Sequence, residues 1–179
     1  VGNASAQGTT LYAGQSLGIN QYLVSPNVTA ALLLQSNGNL VLIRENKLLW
    51  QSNTSGSGSD RLTMQSDGNL VLYDGNIPRW YTRTNGSGAE KLTIQSDGNL
   101  VVYDGSVARW NSNTWGYPNL AFHGDDQLSS GQYLAGNWYI KSPEGRYAAL
   151  LKTNGDFIIY SAGLHIIWTT NTAGSGSDK

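Results

Sequence analysis

A twenty-residue block recurs along this chain at a fixed interval, and that repeat narrows the possible folds more than any other feature. Residues 61–80 read RLTMQSDGNLVLYDGNIPRW and residues 91–110 read KLTIQSDGNLVVYDGSVARW, identical at 14 of 20 positions with an offset of 30. A looser copy, AALLLQSNGNLVLIRENKLLW, occupies 30–50, and a fourth, AALLKTNGDFIIYSAGLHIIW, runs from 148 to 168. Within each copy, short runs of Val, Leu, Ile, Tyr and Trp lie between SDGN, DGN and NTSGSGS clusters. Apolar runs bounded by turn formers predict strands, and no window sustains a helical apolar face. About four short strands per repeat give sheets too small to stand alone, so three sheets must share a core. Trp50, Trp80 and Trp110 each fall fifteen positions after the repeat glutamine, and Trp168 falls sixteen after Lys152. One large ring per sheet suits a threefold core, so these tryptophans are read as core filler and not as sugar platforms.

The fourth copy restarts the first. LYAGQSL at 11–17 returns as LSSGQYL at 128–134, an offset of 117 that also carries Pro26 to Pro143 and Gln35 to Lys152. GSGSD at 56–60 returns at 174–178. The expected organisation is a complete threefold domain over 8–118 and a partial second domain over 121–179 that holds a first repeat alone. Apolar strands in such a fragment need partners. A second chain, either a homodimer partner or a cleaved remainder, is expected to complete it.

Gln65, Asp67, Asn69, Val71 and Tyr73 occupy every second position, and Gln95, Asp97, Asn99, Val101 and Tyr103 repeat them. In extended backbone alternate side chains share a face. That face would carry two amides, a carboxylate, a small apolar patch and a phenol, while Ser66, Gly68, Leu70 and Leu72 point the other way. A hairpin turn at Asp67-Gly68-Asn69 is also open. A three-residue loop would pair Gln65 with Val71 and keep the face intact, whereas a two-residue loop would split it. Such a face suits a hexose. The carboxylate accepts from neighbouring hydroxyls, the amides donate and accept, and the valine meets the C–H patch. A shallow site binds weakly, and repetition supplies avidity. Asp, Gly and Asn as mere turn formers explain the turn, but not why Gln, Val and Tyr recur in phase with it.

Gln-x-Asp-x-Asn-x-Val-x-Tyr, together with the LYAGQSL opening and the NLVLYD, RW and SNT segments, resembles the signature of the bulb-type (monocot-type) mannose-binding lectins across nearly the whole chain. The resemblance implies an all-β, β-prism II fold of three four-stranded sheets. It also implies metal-independent binding of mannose-type sugars at one shallow site per intact motif, with no cofactor. Carried over, Gln, Asp and Asn hold the O2 and O3 region, Tyr holds O4 and Val packs on the ring. Two sites match fully, at 65–73 and 95–103. The first repeat offers Gln35, Asn37, Asn39, Val41 and Ile43, a degenerate site without carboxylate or phenol. The fourth offers Lys152, Asn154, Asp156, Ile158 and Tyr160 and is expected to be dead for mannose. Family members from plants commonly carry an internal disulfide that a chain with no cysteine cannot form, which leans towards a non-plant source.

The remaining features exclude more than they add. Charged residues make up 13% of the chain and its net charge is −1, so no electrostatic grip on nucleic acid is expected. No apolar run approaches the ~18 residues that cross a bilayer, so no membrane insertion is expected. A basic-then-apolar leader is missing, so none existed or it was removed, and a secreted, extracellular protein is expected. An enzyme needs a placed acid–base pair or an activated nucleophile. Asp67 and Asp97 fall on different sheets, Asp125, Asp126 and Glu144 fall in loops, and Asp74 and Asp104 precede glycine as turn residues. No enzymatic activity is expected. An alternative to a secreted agglutinin is a lectin-like bacteriocin or defence toxin that recognises bacterial surface polysaccharide, with rhamnose as another sugar. His123 and His165 read as surface or strand residues, and Trp115, Tyr117 and Pro118 as linker and inter-domain packing. Asn3, Asn27, Asn53 and Asn85 lie in Asn-x-Ser/Thr contexts, which matter only for a secreted eukaryotic protein.

Overall fold

The computed structural model describes residues 5–44, 47–116, 121–161 and 166–174, and all of its regular structure is β. In chain order the strands are β1 (Ser5–Ala6), β2 (Thr10–Tyr12) and β3 (Ser16–Gly18), followed by β4 (Gln21–Val24), β5 (Ala30–Leu34), β6 (Leu40–Arg44) and β7 (Lys47–Gln51). Two triplets come next: β8 (Arg61–Met64), β9 (Leu70–Asp74) and β10 (Ile77–Tyr81), then β11 (Lys91–Ile94), β12 (Leu100–Asp104) and β13 (Val107–Asn111). The last group is β14 (Ala121–Phe122), β15 (Trp138–Lys141), β16 (Tyr147–Leu151), β17 (Phe157–Ser161) and β18 (Ile166–Thr169).

Each repeat folds into three antiparallel strands, because its apolar runs are short and separated by polar turns. In the second and third sheets the fourth strand comes from elsewhere, whereas β4 and β15 directly precede the triplets they join. The sheets run β1-β4-β5-β6-β7, β10-β9-β8-β3, β13-β12-β11-β2 and β14-β15-β16-β17-β18. The LYAGQSL segment therefore crosses between two sheets: β3 pairs with β8 and β2 with β11. The hairpin at Gly14 laces the second and third sheets together. The first and fourth sheets gain two-residue parallel strands, β1 and β14, beyond the four strands expected.

The inner faces of the first three sheets build one core. Leu17, Leu32, Leu42, Leu62, Leu72, Leu92 and Val102 are fully buried in it. Trp50, Trp80 and Trp110 pack against that core as an edge-to-face triangle with centroids 5.2, 5.8 and 5.6 Å apart. This is the threefold ring cluster the repeat implied. Trp168 departs from it: 49% exposed, it meets Phe157 at 6.3 Å and has no partner tryptophan among the described residues. The segment 128–134, equivalent to the lacing hairpin, forms no strand. The inner face of the fourth sheet instead opens into a cleft of about 400 Å3 lined by Leu128, Tyr133, Leu134, Leu151 and Phe157.

The outer face of the fourth sheet is covered. Tyr139, Ala148, Leu150, Ile158 and Tyr160 form one buried cluster with Tyr22, Val24 and Ala31 of the first sheet and Val28 of the β4–β5 connection, and Ile43 packs against it. The Tyr139 hydroxyl donates to the Pro26 carbonyl at 3.3 Å across this seam. Trp115 takes no part in packing the halves, since it is 67% exposed. Tyr117, Pro118, His165 and Asn3 lie outside the described residues, as does the second GSGSD beyond Gly174. His123 is half-buried and meets Trp138 edge-on at 5.9 Å.

Candidate functional site

The two intact motifs fold alike. Gln65 N donates to the Asn69 carbonyl at 2.8 Å and Gly68 N to the Gln65 carbonyl at 3.1 Å, which closes a loop of three residues, Ser66 to Gly68. That loop begins one residue earlier than the Asp67-Gly68-Asn69 turn. Gln65 therefore pairs with Asn69, and Val71 pairs with Thr63. Two local causes fix this register. Asp67 Oδ1 accepts Asn69 N at 2.9 Å, and Gly68 adopts φ +91°, open to glycine without cost. A Cβ at Gly68 would meet Ala89 N at 3.0 Å. Because the loop is odd, Gln65, Asn69, Val71 and Tyr73 still share one face, with Asp67 at its tip.

The second copy repeats each bond. Gln95 N reaches the Asn99 carbonyl at 2.8 Å, and Asp97 Oδ1 accepts Asn99 N at 2.9 Å. In both copies the glutamine amide donates to the tyrosine hydroxyl, Gln65 to Tyr73 at 2.8 Å and Gln95 to Tyr103 at 2.9 Å. Between them Val71 is 3% and Val101 1% exposed, as buried as Val41, 3% exposed in the copy without this bond. The valine expected to supply a small apolar patch is thus buried.

Asn69 does more than the motif suggested. Its Oδ1 accepts from the Thr82 hydroxyl and Thr84 N, both at 3.2 Å. Asn39, Asn99 and Asp156 make the corresponding bonds to Thr54 N at 3.1 Å, Thr114 N at 3.3 Å and Thr172 N at 3.1 Å. The recurring Ser/Thr-x-Thr segment was the sequence signal for this clamp. What remains is chemically specific. Asp67 Oδ2, Asn69 Nδ2, Gln65 Oε1 and the Tyr73 hydroxyl proton have no protein partner among the described residues. These are an acceptor, a donor, an acceptor and a donor on one face, which suits vicinal hydroxyls.

The two sites differ in support. Ser66 and Asp67 are exposed, whereas Ser96 and Asp97 are half-buried. The Ser96 carbonyl accepts from buried Asn27 Nδ2 at 2.8 Å and from Arg44 Nη1 at 3.2 Å. Asn27 is fully buried, which removes it as a glycosylation acceptor in the folded chain, while Asn53 and Asn85 are exposed.

The degenerate sites lose more than side chains. Asn39 Nδ2, the donor free in the intact sites, is spent on Gln51 Oε1 at 2.8 Å, and Ile43, in place of tyrosine, packs into the seam. Gln35 has no phenol to donate to and Asn37 Nδ2 is turned to Ser55 Oγ at 3.1 Å, while Val41 is as buried as Val71. In the fourth copy Tyr160 is fully buried in the same seam. Desolvation pushes the Asp156 carboxyl up, but hydrogen bonds from Thr169, Thr172 and Thr170 and the charge of Lys152 outweigh it and hold it below its usual value. The carboxylate is thus a clamp. Among the described residues no group of three His, Asp or Glu could hold a metal, and Asp74 and Asp104 pair with Arg79 and Arg109.

No protein-family model and no curated protein matches the sequence. Solved structures do. A monomeric monocot mannose-binding lectin from Gastrodia elata is 39% identical, with 60% of this chain aligned to 99% of that one at a TM-score of 0.56. The mannose-specific agglutinin from snowdrop (Galanthus nivalis) bulbs, complexed with methyl-α-D-mannoside, is 33% identical over 60% of this chain and 98% of its own, at a TM-score of 0.50. The fetuin-binding agglutinin of Scilla campanulata, a two-domain lectin, is 26% identical over 93% of this chain and 75% of its own, also at 0.50. Two five-residue motifs on outer prism faces, three sheets around a tryptophan triangle and a relative matched over almost its whole length place this chain in the bulb-type (monocot) mannose-binding lectin family.

Proposed function

We propose that the chain is a non-enzymatic lectin that binds mannose or mannose-containing glycans at 65–73 and 95–103 without metal. The observation that carries this is the set of four unpartnered donors and acceptors that each motif holds on one outer face. The snowdrop agglutinin was solved with methyl-α-D-mannoside, which supports that sugar class. A shallow face that meets a single sugar binds weakly, so a single-site affinity of about 1 mM is expected. The two sites lie on different sheets, so one chain can bridge two glycans, and binding to a dense glycan surface gains from avidity. Calorimetric titration with methyl-α-mannoside in EDTA tests this reading. Asp67→Asn with Asp97→Asn removes the charge-assisted acceptors, and a loss of more than about tenfold is expected. Undiminished binding by the double variant would contradict it.

The same reading extends to assembly. The open inner face of the fourth sheet and exposed Trp168 support a second chain that covers them. Purified alone, the chain is expected to pair with a copy of itself through this face. Sedimentation should give a species above 19.3 kDa that Trp168→Asp returns to that mass. A wild-type monomer of 19.3 kDa at high concentration would contradict this.

A further inference from the structure

The residue directly across from each motif tyrosine sorts the four copies. Arg61 pairs with Tyr73 and Lys91 with Tyr103, whereas Ala31 pairs with Ile43 and Ala148 with Tyr160 in the two copies closed within the seam. A cation thus accompanies both open sites. The two cations are held differently. Lys91 Nζ forms an ion pair with Glu90 at 3.0 Å, and its other cross-strand neighbour is Tyr12. The Arg61 guanidinium lies 5.0 Å from the Tyr73 ring centroid, donates to the Gly75 carbonyl at 3.0 Å and makes no ion pair among the described residues, the adjoining Asp60 accepting Gly75 N at 3.2 Å. Its other neighbour is Gly18, which brings no side chain. Beside that glycine, Gln21 uses Oε1 on Gly18 N at 2.7 Å, which leaves its amide donors unpartnered among the described residues. Along this face Arg61 stands four residues from Gln65, about 13 Å of strand, so the cation lies at the far end from Asp67.

We propose that the 65–73 site continues past Tyr73 into a cationic subsite formed by Arg61 and Gln21, which selects mannose-type sugars bearing a phosphate or carboxylate. The 95–103 site, its lysine paired with Glu90, takes neutral sugars. This rests on the mannose-binding reading above. A guanidinium keeps its charge at any physiological pH and offers paired donors that match an oxyanion. The gain is that of a solvent-exposed ion pair, so the preference is modest and sensitive to salt.

The test compares methyl-α-mannoside with its 6-phosphate by calorimetric titration of the Asp97→Asn variant, which leaves the first site alone. The phosphorylated sugar is expected to bind about three- to fivefold tighter at low salt. That ratio should fall to about one in 0.5 M NaCl and in Arg61→Ala, and should survive in Arg61→Lys. A ratio at or below one in the starting variant overturns the proposal and leaves the mannose site standing. So does a ratio that Arg61→Ala does not change. Failure of the folded wild-type chain to bind either sugar overturns the mannose-binding reading and the subsite with it.

Discussion

Asn69 divides its amide between two tasks, and the same division recurs at Asn99. The carbonyl oxygen ties the turn to Thr82 and Thr84, while the nitrogen has no partner among the described residues. Asn69→Ala should therefore cost stability and binding together, about 1–2 kcal/mol in urea unfolding with loss of sugar at the first site. Asp156 makes the same clamp with a carboxylate whose folded pKa is lowered. A lowered value means that its contribution is present above the ordinary carboxylate range, near about 4, and disappears as pH falls through the folded value. Acid unfolding of the fourth sheet, followed by Phe157 and Tyr160 resonances, should thus steepen below about pH 4 in wild type. Asp156→Asn should flatten it, because the amide oxygen that serves at Asn39, Asn69 and Asn99 does not titrate. An unchanged acid midpoint would contradict the clamp. Val28 is a local exception. It is buried with φ 60°, where its repeat equivalent Gly145 has φ 67°, and the side chain is retained in that region by its place in the seam.

At the level of elements, the hairpins could be read in the sequence and the lacing could not. Apolar runs between Gly turns identify each triplet, and the in-phase Gln, Asp, Asn, Val and Tyr identify the face. The turn was offset by one residue because Asp67 caps Asn69 N, a bond that the Asp-Gly signal alone does not distinguish from the neighbouring register. Where LYAGQSL would go was hidden, since its partners lie far along the chain. Ser16 Oγ meets Thr63 Oγ1 47 positions on, and Thr10 Oγ1 meets Thr93 Oγ1 83 positions on. Leu17 is fully buried on this lace. Leu17→Ala is expected to destabilise the molecule by about 2–5 kcal/mol in denaturant titration, a cost typical of a core leucine although it lies on a three-residue strand. A cost below about 0.5 kcal/mol would show that the lace is dispensable.

Across the whole molecule, two of four equivalent faces are closed against each other and two remain open. The residues that set the first copy apart from the open ones, Ile43 where they have tyrosine and Ala31 where they have a cation, also line the apolar seam. Ala31→Lys should pry the halves apart, since it places a charge among Tyr139, Ile158 and Tyr160. Limited proteolysis should then cut within 121–169 while the first three sheets resist, and sugar binding should persist. The account stands on the claim that binding is confined to the two open faces. The most direct test is a 1H–15N correlation spectrum of the chain titrated with methyl-α-mannoside. Shifts are expected at the amides of Ser66 to Asn69 and Ser96 to Asn99 and at Tyr73 and Tyr103, with Gln35 to Ile43 and Lys152 to Tyr160 unmoved. Shifts centred on the seam, or none in either open hairpin at saturating sugar, would contradict it.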